Sequence, residues 1–322
     1  MKQTKAIKLR IVFMGTSPFA EKMLSAMLEE KYNILAVFTQ PDKKSGRKGE
    51  LTQSPVKILA TERKIPIIQP EKFDDKTISD LKELRPDLII VAAYGKILPE
   101  KALEIPGFGS INVHASLLPK LRGASPIQNA LLSGEGETGI TIMLMDKGMD
   151  TGDILLQKKV SIAINDTSDT LTEKLMEKGA EALLEAIPLW IDKKITQKKQ
   201  AGEKATLCQL IERSDGKIIW DNEAQNIFNQ YRAFYSWPGI FSFWDDENGS
   251  TKRIKLNKIS LQKINPQKTH RMGEVFQIGE EIGVQTSNGV IILKEVQLEG
   301  KSSISAKEFS NGYPNFIGSI LK

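Results

Sequence analysis

The sequence predicts an α/β protein: a doubly wound, mostly parallel sheet followed by a small, OB-like C-terminal β-barrel. Three observations predict it. Apolar stretches of strand length alternate with helical patterns from Lys8 to about Trp190, the order that builds parallel sheets from βαβ units. The stretch Leu88–Ala93 (LIIVAA) is apolar without a break, as suits a parallel strand covered on both faces. After Gln209 the pattern changes to short alternating stretches, separated by turn signals such as Glu247-Asn-Gly249 and Ser287-Asn-Gly289, which predicts a small barrel.

The elements follow in order. Lys8–Met14 is the first strand. Gly15-Thr-Ser-Pro-Phe19 turns into a helix running to about Glu30, with Ser17 placed to cap it and Pro18 at its first position. Gly15 stands alone in its loop, so the Gly-x-Gly-x-x-Gly of dinucleotide binding is missing. Asn33–Thr39 is a strand, and Pro41–Glu50 reads as a long polar loop with Lys43, Lys44, Arg47 and Lys48. A helix over Pro55–Lys64, a strand over Ile65–Ile68, and an amphipathic helix over Asp75–Arg85 come next. The strand Ser110–His114 precedes a helix at Pro126–Ser133. Gly139–Leu144 and Ile154–Val160 form a hairpin, and Thr170–Trp190 a long helix with one apolar face. Beyond Gln209, Asn222–Phe234 is helical and five short strands lie between Ile240 and Glu295.

Composition narrows the class. The chain has 322 residues, 40% hydrophobic and 26% charged, as a globular protein of two domains would. Its longest apolar runs are far too short to span a bilayer, and Met1–Leu9 lacks the apolar core of a signal peptide. A cytoplasmic location and no membrane partner are expected. A single cysteine, Cys208, excludes an internal disulfide, and with two histidines in the chain no metal site is expected. Cys208 and His270 are read as an incidental thiol and a surface or barrel histidine. The net charge is +5. No acid lies between Glu247 and Glu274, while Lys252, Arg253, Lys255 and Lys258 do. Asp192–Lys204 adds Lys193, Lys194, Lys198, Lys199 and Lys204. Either run alone is equally well a solvated face; together they suggest a polyanionic partner.

The chemistry concentrates at Gly109–Gly123. Alternation places Asn112 and His114 on one face of a strand, beside a turn at the end where ligands bind open α/β sheets. A second polar stretch, Met145–Asp153, puts Asp150 in the turn of the hairpin. His114 is the main candidate for proton chemistry near neutral pH. From the residues alone, a histidine in such a setting is more often structural than catalytic, and Leu117 and Leu118 read as core.

Asn112-Val-His114-Ala-Ser-Leu-Leu-Pro119, Arg122-Gly-Ala-Ser-Pro-Ile-Gln128, Thr138-Gly-Ile-Thr141 and Gly148-Met-Asp-Thr-Gly-Asp153 resemble the folate-dependent formyltransferases. Ala115 stands where the family often has glycine, and Lys120-Leu121 where it often has a basic residue and tryptophan; neither change removes the polar atoms at issue. The resemblance implies a Rossmann-like catalytic domain over 1–191, a basic linker over 192–208, and a tRNA-binding barrel over 209–322. It implies Asn112, His114 and Asp150 as catalytic. It implies 10-formyltetrahydrofolate as co-substrate, held by Ser116, Leu117, Leu118 and Pro119, by the backbone near Lys96, Ile97 and Leu98, and by the stretch from Ile142 to Asp146. Thr39-Gln-Pro-Asp42, Ser54-Pro-Val-Lys57 and the C-terminal part narrow the implied acceptor to the α-amine of methionine on charged initiator tRNA. Arg47, Lys43 and Lys44 would then meet that tRNA, as would Lys193 and Lys194, and Lys252, Arg253 and Lys255. A monomer is expected. Two readings stay open beside it: a formyltransferase for a small phosphorylated amine, and a non-catalytic tRNA-binding protein.

Overall fold

The computed structural model describes residues 8–45, 50–262 and 270–322. It divides into two compact units. The first takes the chain up to Pro126, with Glu137–Ser161 and Thr172–Cys208; the second takes Ile127–Gly136, Ile162–Leu171 and Gln209–Lys322.

The first unit contains β1 (Ile11–Gly15), α1 (Pro18–Glu29), β2 (Ile34–Phe38), the short pair β3 (Lys43–Ser45) and β4 (Glu50–Thr52), α2 (Pro55–Glu62), β5 (Ile67–Ile68) and α3 (Asp75–Glu83). It continues through β6 (Leu88–Ala92), α4 (Glu100–Leu103), β7 (Ser110–His114), β8 (Arg122–Gly123), α5 (Pro126–Leu132), β9 (Glu137–Leu144), β10 (Ile154–Ser161), α6 (Ser168–Ile191) and β11 (Leu207–Cys208). Of these helices, α5 belongs to the second unit from Ile127 on, and α6 belongs to it up to Leu171. The main sheet runs β10-β9-β7-β6-β1-β2-β5. From β7 to β5 every ladder is parallel, and β9 and β10 are antiparallel. The expected doubly wound, mostly parallel sheet is present.

Local chemistry explains its elements. Ser17 and Ser54 cap α1 and α2 through their side-chain oxygens, with proline at the first turn of each, so a donor left without a helical partner is satisfied. All five residues of β1 and of β6 are buried, as strands covered on both faces require. Val12, Met14, Ile89 and Val91 pack with Ile78 and Leu81 of α3 and with Ala102 and Leu103 of α4. On the opposite face Gly15 lies so close to Ala20 of α1 that a Cβ there would come within 2.5 Å of the alanine methyl. Close helix packing therefore explains this glycine without a ligand. Strand order reverses between β1 and β6, and the loops leaving their carboxyl ends are tied together by Thr16 Oγ1 donating to the Tyr94 carbonyl at 2.9 Å. Such a switch point opens a crevice in sheets of this type.

The stretch read as a polar loop over 41–50 is instead anchored by the β3–β4 ladder; its charged composition hid the pairing. The four-residue α4 was too short to leave a periodic signal.

The second unit holds α7 (Ala224–Ala233), β12 (Ile240–Asp245), β13 (Thr251–Gln262), β14 (Val275–Ile278), β15 (Glu281–Gln285), β16 (Val290–Leu298), β17 (Ile304–Ser305) and α8 (Ala306–Gly312). Its sheet is six-stranded and antiparallel, ordered β12-β13-β16-β15-β14 with β17 beside β16. Five of these strands, β12 to β16, overlap those expected after Gln209; β17 is an addition. Two register shifts against β16 between Leu256 and Ile259 bend the long strand β13. Trp244 is fully buried and meets Phe309, Tyr313 and Phe316 edge-on, with centroids 5.4–5.7 Å apart; such edge-to-face contacts suit the quadrupoles of the rings. No helix among the described residues is long and apolar enough to cross a membrane.

Candidate active site

Strand β7 delivers the two central side chains. It lies between β6 and β9, with Asn112 opposite Val91 on one side and Met143 on the other. Both neighbours fix its register, so Asn112 and His114 emerge on the same face. Asn112 is half-buried and its side chain makes no hydrogen bond to any described residue. An amide without such a partner can donate to a ligand.

His114 is 6% exposed. Its Nε2 lies 2.9 Å from the Leu121 carbonyl oxygen. A carbonyl can only accept, so the hydrogen sits on Nε2. Nδ1 then faces Asp150 Oδ2 at 3.6 Å, beyond hydrogen-bond length but within ion-pair range. An N–H of His114 is therefore not directed at a substrate in this arrangement. With the hydrogen on Nε2, Nδ1 carries the ring's lone pair and faces the carboxylate.

The turn after β9 carries Asp150 to this point. Asp150 adopts a left-handed backbone, φ 52°, and so does Leu121, φ 58°. Left-handed geometry costs an L-residue about 1–2 kcal/mol, and here hydrogen bonds hold it. The Gly123 N–H donates to Asp150 Oδ2 at 2.8 Å. Gly123 itself has φ 118°, and a Cβ there would lie 2.4 Å from the Cys208 carbonyl. The parallel pairing of β8 with β11 makes that approach necessary. The segment 192–208 contributes further. Thr206 Oγ1 accepts from the Leu121 N–H at 2.8 Å, Lys198 pairs with Ile154, and Gln200 Nε2 donates to the carbonyls of Asp150 and Gly152 at 2.9 and 2.7 Å. Cys208 is buried and donates weakly to the Leu121 and Arg122 carbonyls, and burial pushes its thiol pKa up. These partners were not legible in advance, because backbone atoms carry no residue signature.

The residues carried over for folate fall into two groups. Ser116 is fully buried; its hydroxyl donates to the Lys120 carbonyl at 2.6 Å, while its own carbonyl accepts from Thr141 Oγ1 at 2.6 Å. Leu118, Ile142 and Leu98 are also buried. Leu117 and Pro119 are half-buried, and Ile97 is 86% exposed in the loop after β6. Lys96 Nζ donates to the Glu71 carbonyl. Asp146 Oδ1 accepts from the Gly148 N–H and Thr151 Oγ1 at 3.0 and 2.6 Å, which ties it to its own turn. An exposed apolar side chain, a half-buried leucine and a free amide suit a flat ring with polar edges.

The basic residues are dispersed. Lys43 Nζ donates to Gln40 Oε1 at 2.6 Å. The Lys44 backbone pairs with Leu51, and Arg47 lies outside the described residues. Lys193 is exposed, and Lys194 sits 2.5 Å from Asp192. In the second unit, alternation along β13 sets Arg253 and Lys255 on the face opposite the buried Ile254 and Leu256, with Lys252 on the other. The Arg253 guanidinium lies 3.6 Å from the Phe241 ring centroid, a cation–π contact. Among the described residues no group of acids, histidines and cysteines could hold a metal ion.

Comparison with known proteins places this geometry. Residues 9–187 match the formyl transferase family and residues 210–314 the formyl transferase C-terminal domain. A curated methionyl-tRNA formyltransferase of Caldicellulosiruptor saccharolyticus is 44% identical over 315 residues, 97% of this chain and 99% of that one. Another, of Thermodesulfovibrio yellowstonii, is 45% identical over 303 residues, 94% and 95% of the two chains. Solved structures share the fold at lower identity. An N-formyltransferase of Helicobacter canadensis, in complex with folinic acid and dTDP-3-aminofucose, has a TM-score of 0.64 at 21% identity and covers 88% of this chain and 98% of that one. HypX of Aquifex aeolicus, in complex with tetrahydrofolic acid, has a TM-score of 0.62 at 14% identity, covering 96% of this chain and 48% of that one. Matched in both its parts and along nearly its whole length, the chain belongs to the formyltransferase family.

Proposed function

We propose that the protein transfers the formyl group of 10-formyltetrahydrofolate to the α-amine of methionine carried by initiator tRNA; its curated relatives bear the name methionyl-tRNA formyltransferase. The observation that supports the chemistry best is the free Asn112 amide beside a histidine whose open nitrogen faces Asp150. When the amine attacks the formyl carbon, negative charge develops on the formyl oxygen. Asn112 is the donor for that oxygen, an interaction worth on the order of 3–4 kcal/mol in the transition state. The new C–N bond requires loss of a proton from the amine. His114 Nδ1 takes it, and the Asp150 carboxylate stabilises the imidazolium that results. The same proton then neutralises N10 as the bond to the folate breaks. In this reading His114 works as proton carrier rather than as second donor to the oxygen.

The acceptor is a large polyanion. Arg253 and Lys255 on one face of β13, together with Lys193, Lys43 and Lys44, supply sequence-independent attraction to phosphates. Lys194, Lys252 and Arg47 add further positive charge in the sequence. The enzyme works as a monomer in the cytoplasm. The deciding experiment offers labelled 10-formyltetrahydrofolate to the purified chain with charged initiator tRNA, charged elongator methionine tRNA, or a small phosphorylated amine. Label on initiator methionine at least 100-fold faster than on the other acceptors is the expected result, a margin on the order of those achieved by specific nucleic-acid recognition. No label on initiator methionine would end this reading.

A further inference from the structure

We infer that Gln200 is a positioning residue for Asp150, so that the segment after α6 completes the catalytic unit. The inference rests on the proposed role of Asp150. Both ends of the Gln200 amide are saturated. Its Nε2 donates to the Asp150 carbonyl at 2.9 Å and to the Gly152 carbonyl at 2.7 Å. Its Oε1 accepts from Arg122 Nε at 3.0 Å and from Arg122 Nη2 at 2.7 Å. One side chain thus ties the turn that presents the carboxylate to the strand whose next residue, Gly123, grips that carboxylate at 2.8 Å. The ring closes through Arg122 and Gly123, which are covalent neighbours.

Two features make this more than packing. Asp150 has φ 52°, and its carboxylate stands 3.6 Å from His114 Nδ1, so a small rotation of the turn decides whether the pair can meet. A donor pair on the carbonyls either side of Thr151 opposes that rotation. The chemistry also admits few replacements: glutamate keeps the two contacts from Arg122 and loses both donors, and asparagine is one methylene too short to span the same atoms. The effect acts on orientation, so it belongs in turnover rather than in substrate affinity.

The test uses the full chain with 10-formyltetrahydrofolate and charged initiator tRNA. Gln200→Ala is expected to lower kcat roughly 10- to 100-fold, with KM for both substrates within about 3-fold. Gln200→Glu, which retains the Arg122 contact and so the fold, should lose a similar factor. The decisive arm is Gln200→Ala in an Asp150→Asn background. If Gln200 acts through Asp150, the double variant is no slower than Asp150→Asn alone, within about 2-fold. An equal further loss in that background, or wild-type kcat for both single Gln200 variants, overturns the inference while leaving the functional reading intact. Normal turnover by Asp150→Asn would remove the proposed role of Asp150 itself, and this inference with it.

Discussion

The His114–Asp150 corner and the outer face of β13 both gather polar side chains, yet they are held in opposite ways. At the corner, His114 and Asp150 are fixed by the Leu121 carbonyl, the Gly123 N–H and the turn hydrogen bonds around them, and both are largely shielded. Along β13, Arg253 rests on an aromatic ring and the half-buried Lys255 runs its side chain past Gly239. Chemistry on one carbonyl needs a single geometry, and fixed backbone partners supply it. Attraction to a phosphate chain needs charge at roughly the right place, which long side chains on a bent strand provide.

If that contrast is right, substitutions at the corner should act steeply and together. Asn112→Ala and His114→Ala are each expected to lower kcat by about 10²–10³-fold. Their combination should be far less than the product of the two, because they serve one transition state. Single-turnover formyl transfer measures this, and two small, multiplicative losses would break the comparison. Lys255→Ala should act differently. It is expected to raise KM for charged tRNA a few-fold, leave KM for the folate unchanged, and flatten the dependence of log KM on log salt by about one phosphate contact. An unchanged salt slope would show that this face does not meet the tRNA.

The smallest effect concerns stability alone. His270 Nδ1 lies 2.9 Å from Glu274 Oε1 and stacks on Phe276, with centroids 3.9 Å apart. The hydrogen bond with His270, then that from the Arg271 N–H, holds the Glu274 carboxyl below the ordinary glutamate value of 4.5. A depressed carboxyl contributes stability above its unfolded value and loses it as pH falls through the folded one. The difference in Tm between the wild type and Glu274→Gln should therefore be present at neutral pH and shrink on acidification below about pH 4.5. A gap that stays constant down to pH 3, a range well below the ordinary carboxylate value, would refute the pairing.

The two regions also differ in what the sequence reveals. Asn112 and His114 are legible because strand alternation and rare residue types coincide, and Asp150 because glycines flank it in a hairpin turn. The α/β order and the change after Gln209 are legible for the same reason: periodicity is a property of many residues at once. What fixes the corner is not legible. Leu121 acts through its carbonyl and Gly123 through its N–H, groups that every non-proline residue has. Gln200 sat in a run of lysines that reads as a tether. Charge patterns likewise located basic stretches without showing that Lys252 and Arg253 point to opposite faces of β13.

The return of Leu207–Cys208 onto Arg122–Gly123 has a practical meaning for anyone recombining such proteins. A chimera joined at the end of α6 would import Gln200 and Thr206 from the other parent and pair them with a foreign turn. A seam placed after Cys208 keeps those side chains with the partners they hydrogen-bond, and should exchange acceptor preference without disturbing turnover.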